Sequence, residues 1–338
     1  MILSKDTTLR DLNEAPELAA AKDALIAGGN YFEGETAELS LSDLQDKFGT
    51  WNADDMLFGL ERLLQLLERG VPVVHPVYAE AQIAHDPRKA QAKLFWFPAD
   101  KEVRKANAPY VILASGGAYG SVCTLPESLP VAAELNRLGY DAFCLNYRTA
   151  LPEDIQAGLF PMPADDYAAG WHTINDHAEE FGVCPENYFA GGFSAGGHLT
   201  ALWGTEHLGA RHYGIPQPRM LLLDYPLISM DTTEDGPVKT FMTNMMFGAD
   251  HDRSAEEAYL IHHYVDNKYP PVYHVQAKDD PTVAPINASL LKEALEQFDV
   301  PCQQELLEHG GHGFGLGSGT EAEGWVERAI RFYERMEN

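Results

Sequence analysis

Three residues of this chain have the types that acyl-group chemistry needs: a serine, an acid and a histidine, spaced widely along the sequence. Ser194 lies in Gly192-Phe193-Ser194-Ala195-Gly196, a G-x-S-x-G pentapeptide. A serine hydroxyl is a poor nucleophile at neutral pH. It needs a base to take its proton, an acid to orient that base, and donors for the oxyanion that forms. His312, in His309-Gly310-Gly311-His312-Gly313-Phe314-Gly315, is the candidate base, because glycines on both sides let its loop bring an imidazole close to a serine. His309 is its rival. Asp280, in Lys278-Asp279-Asp280-Pro281-Thr282-Val283, is the candidate acid, and Asp279 beside it is an alternative that could instead cap the loop. Ser115-Gly116-Gly117-Ala118-Tyr119 is a run of small residues in which backbone N–H groups can converge on one oxygen. With the N–H of Ala195, those of Gly117 and Ala118 would form the oxyanion site.

Such residues act only if a scaffold gathers them. Tyr188-Phe189-Ala190 is β-rich and precedes the pentapeptide; Gly197-His198-Leu199-Thr200-Ala201-Leu202-Trp203 is helix-forming and follows it. A strand–turn–helix passage would lift the Ser194 hydroxyl out of a sheet and place it at a helix N-terminus. From about residue 81 strands alternate with helices, the pattern of a mostly parallel, doubly wound α/β sheet. Strands are expected at 93–97, 110–114, 142–147, 188–191, 220–224, 272–276 and 303–307, and helices at 127–138, 164–180, 198–206, 287–297 and 321–336. Residues 78–85 read as an antiparallel edge strand. Gly117 and Ala118, Ser194, Asp280 and His312 would then all follow strand C-termini.

Two segments stand outside this alternation. Residues 1–80 read as a helical extension, with a capping-box signature at Ser42 and Gln45. Its clearest helix spans about 53–69, where Met56, Leu57, Leu60, Leu63, Leu64 and Leu67 form one apolar stripe. The stripe must bury against its own domain or against a second subunit, and the latter would make a homodimer. Residues 228–267 are too long for a simple loop and read as a cap-like insertion in the 81–338 domain. Their Met242, Met245, Met246 and Phe247, with Tyr119, are candidate walls of an apolar substrate pocket.

At 338 residues and 45% hydrophobic content the chain can bury a large core. The formal charge is 24 − 51 = −27. That field disfavours nucleic acid, anionic membranes and polyanionic substrates. Lys239 and Arg148 are the first candidates for a local basic patch that would offset it. The four cysteines show no C-x-x-C pair and read as free thiols, and no zinc-ligand spacing or cofactor motif is present. Residues 1–20 carry Asp6, Asp11, Glu14 and Glu17 and no apolar segment, so they do not read as a signal peptide, and a cytoplasmic location is expected.

The order Ser194, Asp280, His312 resembles that of the α/β-hydrolase superfamily. Within it, Ser194-Ala195-Gly196-Gly197-His198-Leu199, Asp279-Asp280-Pro281 and Gly311-His312-Gly313-Phe314 are similar to motifs of the hormonesensitive-lipase-like and acetyl-xylan-esterase-like carboxylesterases. Asn146-Tyr147-Arg148, followed by Phe160-Pro161-Met162-Pro163-Ala164-Asp165-Asp166, is similar to the segment after that branch's fourth strand. The similarity covers about residues 90–338. It departs at the oxyanion loop, where Ser115 and Ala118 replace the usual His (or Pro) and Gly. Some hydrolases of this fold carry the acid one strand earlier, where Asp224 stands. The resemblance implies a serine hydrolase that cleaves small carboxylic esters through an acyl-enzyme. A prolyl-oligopeptidase-like peptidase or amidase shares the motifs, but residues 1–80 cannot build its propeller. A binding protein on a hydrolase scaffold typically lacks one of the three residues; this chain has all three.

Overall fold

The computed structural model describes residues 1–337. Eight strands form one sheet: β1 (Val74–Pro76), β2 (Lys93–Phe97), β3 (Tyr110–Ala114), β4 (Ala142–Asn146), β5 (Tyr188–Phe193), β6 (Met220–Asp224), β7 (Val272–Ala277) and β8 (Cys302–Leu307). Their spatial order is β8-β7-β6-β5-β3-β4-β2-β1. All pairs from β8 to β4 are parallel; β2 joins β4 antiparallel and β1 joins β2 antiparallel. The expected mostly parallel sheet is therefore present, with its antiparallel edge at residues 74–76. Residues 80–85, expected as part of that edge, are instead a short helix. The Gln82 side chain there accepts the Ala79 N–H, and such a local cap favours a helical turn over a ladder.

The central strands are buried on both faces, so they read as continuous apolar runs. Side chains still alternate between two cores: Val111 and Leu113 of β3 face one, and Tyr110, Ile112 and Ala114 the other. The register places the site. Ala114 pairs with Gly192, so the chain leaves β3 and β5 side by side. Leu307 pairs with Ala277, so the loops after β7 and β8 also emerge together.

Residues 1–73 share the first of these cores. Leu9, Leu12, Leu18, Leu25, Leu41 and Leu44 pack in one apolar cluster with Phe95, Val111 and Trp325. The helix Leu41–Phe48 is capped by Ser40 and Asp43, each side chain accepting the other's backbone N–H at about 3 Å. The capping box thus lies two residues before the Ser42–Gln45 pair expected from sequence. Gln45 instead accepts the Ala53 N–H at the start of the next helix.

That helix, Ala53–Glu68, begins at Asn52, whose side chain accepts the N–H groups of Asp54 and Asp55. Met56, Leu60, Leu63 and Leu64 are buried, and Leu57 and Leu67 are half-buried around them. The partner is the helix Ser128–Arg137 of the same chain. A Cβ built on Gly59 would lie 2.8 Å from Leu129, so the two backbones meet closely at that point. The stripe is covered without a second subunit. Leu60→Ala should lower the unfolding free energy in urea by about 2–5 kcal/mol, the cost of a core cavity. An unchanged transition midpoint would mean that the helix contributes no core contact.

Candidate active site

β5 runs straight into the helix Ser194–Trp203, and Ser194 sits at the junction with φ 52°, a left-handed conformation rarely adopted by a residue with a side chain. The flanking glycines explain why the turn can be so tight. A Cβ on Gly192 would fall 2.3 Å from the Gly196 carbonyl oxygen, and one on Gly196 would fall 2.1 Å from that of Ala114. Either contact would push the serine away from its neighbours.

His312 faces this serine. Its Nε2 is 2.8 Å from Ser194 Oγ, and its Nδ1 is 2.8 Å from Asp280 Oδ2. With Nδ1–H donating to the carboxylate, Nε2 is left to accept the serine proton. Asp280 is itself fixed: Oδ1 accepts the N–H groups of Thr282 at 2.8 Å and Val283 at 2.9 Å, and Oδ2 also accepts from Gln276 Nε2 at 2.9 Å. The three sequence-expected residues are thus brought into one hydrogen-bonded row.

The rival residues have other places. Asp279 Oδ1 accepts the N–H groups of Gly310 and Gly311 at 3.0 and 2.9 Å, and its second oxygen meets the exposed His309 ring. This pair braces the base loop from outside. Asp224 is fully buried at the end of β6, and neither carboxylate oxygen has a hydrogen-bond partner among the described residues. Burial first, then the nearby acids Glu127, Glu305 and Asp280, push its carboxyl well above the usual range.

On the other side of Ser194 lies the loop after β3. Gly117, Ala118 and Tyr119 have φ of 123°, 51° and 60°. Successive residues in such conformations turn their N–H groups toward one concavity. No acceptor among the described residues takes the N–H of Gly117 or Ala118. Ala195 lies in the first helical turn, where N–H groups have no intrahelical partner.

The candidate pocket residues divide. Tyr119 is buried, with its hydroxyl 2.7 Å from His198 Nδ1. Met246 is fully buried and Met245 nearly so, in the core beneath the insertion. These two methionines are therefore core rather than open wall. Their helix, Pro237–Phe247, docks on the chain at 159–160, where Leu159 and Phe160 N–H groups donate to the Met245 and Met246 carbonyls. Met242 and Phe247 keep partial exposure. Phe247 joins an aromatic group with Phe160, Tyr259 and, through Phe160, Tyr119.

Sequence reasoning missed the bracing of the base loop by residues 50–55. The Thr50 hydroxyl donates to the His312 carbonyl oxygen. Asn52 donates to the Ser318 carbonyl at 3.0 Å, and Asp55 accepts the Ser318 N–H at 3.2 Å. Nothing local marks such contacts, since they join residues more than two hundred positions apart. Gln276 was also missed; a polar side chain within the buried run of β7 was its one signal. Among the described residues no cluster of His, Cys, Asp and Glu could hold a metal ion, and no helix is long and apolar enough to cross a membrane.

With this geometry in view, comparison with known proteins is decisive for the family. A family model described as the alpha/beta hydrolase fold matches residues 116–316, more than half of the chain. The chain belongs to that family. It is 26% identical over 217 residues to an acetylxylan esterase of Xylanibacter ruminicola, covering 62% of this chain and 41% of that protein. It is 23% identical over 223 residues to an endo-1,4-beta-xylanase B of Butyrivibrio fibrisolvens, covering 64% of this chain and 34% of that one. The chain thus spans less than half the length of these two relatives. Among solved structures, the acetyl ester-xyloside bifunctional hydrolase of Caldicellulosiruptor lactoaceticus superposes with a TM-score of 0.65 at 25% identity, covering 78% of this chain and 96% of that one. The Thermogutta terrifontis esterase Est2 superposes with a TM-score of 0.62 at 20% identity, over 78% and 95% of the two chains. The expected superfamily resemblance is borne out.

The two acids can be told apart in solution. Asp280→Asn should leave the protein folded and lower kcat by about 10⁴, the loss seen when a triad carboxylate is neutralised. Asp224 titrates above its unfolded value, so the native state holds an extra proton and stability falls as pH rises from about 4 through the raised value. Asp224→Asn should remove that slope, raising Tm more at pH 8 than at pH 4, with kcat retained. A large kcat loss in Asp224→Asn alone would reverse the assignment.

Proposed function

We propose that this chain is a serine carboxylester hydrolase acting on small esters through an acyl-enzyme. The observation that carries the reading is the unbroken row Asp280–His312–Ser194, with 2.8 Å at both His312 nitrogens. Ser194 Oγ attacks the ester carbonyl carbon while its proton passes to His312 Nε2. The carbonyl oxygen becomes an oxyanion, met by the N–H groups of Gly117, Ala118 and Ala195. Collapse of the tetrahedral species expels the alcohol, which takes the proton from His312. Water then repeats the sequence on the acyl-serine, with His312 again first base and then acid. Asp280 holds the imidazole in the required tautomer throughout.

In this reading residues 228–267 are a cap that limits the acyl side of the site, because their Phe247 and Tyr259 reach Phe160 and, through it, Tyr119 beside the oxyanion loop. The names of the acetylxylan esterase relative and of the acetyl ester-xyloside hydrolase support a short acyl group. Neither expected basic patch is free to recruit an anion. Arg148 is buried and paired with Asp166 at 2.8 Å, and Lys239 pairs with Asp235 at 2.9 Å.

A fluorophosphonate should label one residue, and Ser194→Ala should abolish the labelling; labelling that survives in this variant sinks the nucleophile assignment. On p-nitrophenyl esters kcat/KM should peak at about two to six acyl carbons, because a closed pocket rewards added methylenes only until it is full. A maximum at roughly ten or more carbons would mean an open groove. An amide panel run alongside should give far lower rates. An anionic ester of matched size should react more slowly at low salt, with the difference shrinking as salt is added.

A further inference from the structure

One buried acid has no part in the reaction as written. Glu127 immediately precedes the helix Ser128–Arg137 and is 4% exposed. Its two oxygens face two different loops of the site. Oε2 accepts the N–H of Gly116 at 2.5 Å. Oε1 accepts the Tyr225 hydroxyl at 3.2 Å, and the Tyr225 oxygen in turn accepts the N–H of Gly315 at 3.0 Å.

Both contacts lie next to the chemistry. Gly116 packs so tightly on the nucleophile turn that a Cβ there would stand 2.7 Å from the Cβ of Ser194. It directly precedes the Gly117 and Ala118 N–H groups. Gly315 is in the base loop, and a Cβ on it would stand 2.3 Å from the carbonyl oxygen of Pro126. The Tyr225 ring lies against the His312 ring with centroids 4.9 Å apart, and Tyr225 itself has φ 38°. A residue with a side chain keeps such a backbone only where its surroundings fix it.

We propose that Glu127 is a positioning residue for the reaction. Through Gly116 it sets the loop that presents the oxyanion donors, and through Tyr225 it sets the loop that carries His312. One carboxylate thereby holds the oxyanion site and the base in register with each other. Burial without a cation in contact is costly for such a group. It pushes the carboxyl up to about 7, against the opposing pull of the Gly116 N–H, the His312 imidazole and the Tyr225 hydroxyl. The fold retains an expensive acid between the oxyanion loop and the base loop.

The proposal rests on Ser194 being the nucleophile, so the test carries a control for that. A trifluoromethyl ketone shaped like a short-chain ester is the probe. Ser194 Oγ adds to its carbonyl carbon, the serine proton moves to His312, and the ketone oxygen becomes an anion in the oxyanion site. Glu127→Gln keeps the size of the side chain but offers an amide where one of the two donors needs an acceptor. It should lower kcat about 10- to 100-fold, below the loss from deleting an oxyanion donor outright, with KM within about threefold. Ketone affinity should fall by the same factor as kcat/KM, as expected for an interaction realised in the transition state. Tyr225→Phe, which removes only the bridging hydroxyl, should fall in the same direction. The double variant should lose less than the product of the two single losses, because both act through one linkage.

If Glu127→Gln fails to fold, Tyr225→Phe carries the same comparison of kcat, KM and ketone affinity. Ketone affinity and kcat/KM within threefold of wild type in the folded variants would overturn the proposal. So would a loss of activity that follows a fall in Tm while ketone affinity stays unchanged, since that pattern belongs to a purely structural residue. Hydrolysis surviving in Ser194→Ala would instead overturn the nucleophile reading. An inactive Ser194→Ala beside a fully active Glu127→Gln would overturn the role of Glu127 alone.

Discussion

A residue with a side chain stays at φ 52° only where everything around it leaves no alternative. At Ser194 the constraint comes from backbone approaching from two directions. The Gly196 carbonyl crowds Gly192, and the Ala114 and Ser115 carbonyls crowd Gly196. The turn can exist only because β3 and β5 are neighbours in register, with Ala114 beside Gly192. The helix that follows is buried along almost its whole length, so it cannot relax by swinging into solvent. The strain at one serine is thus borne by the centre of the fold.

The base is held by different means. His312 lies on a loop, and loops are held by hydrogen bonds rather than by strand pairing. Asp280 holds the ring, Asp279 the backbone at Gly310 and Gly311, Tyr225 the backbone at Gly315, and Thr50 the His312 carbonyl. Three separate parts of the chain converge on residues 310–315. One of these parts, around Thr50, belongs to the first eighty residues, whose leucines share a core with β3 and the C-terminal helix. We read this segment as part of the scaffold of the site rather than as an appendage.

How much of this was legible in the sequence follows from the range of the interactions. The strands β2, β3 and β6 are readable to the residue because their apolar runs are bounded by turn residues, on both sides for β3 and β6 and at Pro98 for β2. Ser194, Asp280 and His312 were readable because each follows a strand and carries a local signature. The edge of the sheet was misplaced because β1 is only three residues long, too short for a period to show. The capping box shifted by two positions because Ser40–Asp43 and Ser42–Gln45 offer competing pairs, and Gln45 is taken by the Ala53 N–H across the turn to the next helix. Glu127, Tyr225 and Thr50 gave no signal, since what matters about each is a contact made across the fold. Met245 and Met246 looked like pocket wall because an apolar residue reads the same whether it faces a substrate or a core.

Acylation of Ser194 would show directly in the mass of the enzyme during turnover. Rapid acid quench of the enzyme with an excess of a short-chain p-nitrophenyl ester, followed by digestion, should place the mass of one acyl group on the peptide containing Ser194. Because His312 is the base for both acylation and deacylation, His312→Ala should form this species only slowly and lose it slowly, and Ser194→Ala should form none. An acyl group found on another residue, or rapid hydrolysis with no acylated peptide in Ser194→Ala, would contradict the account.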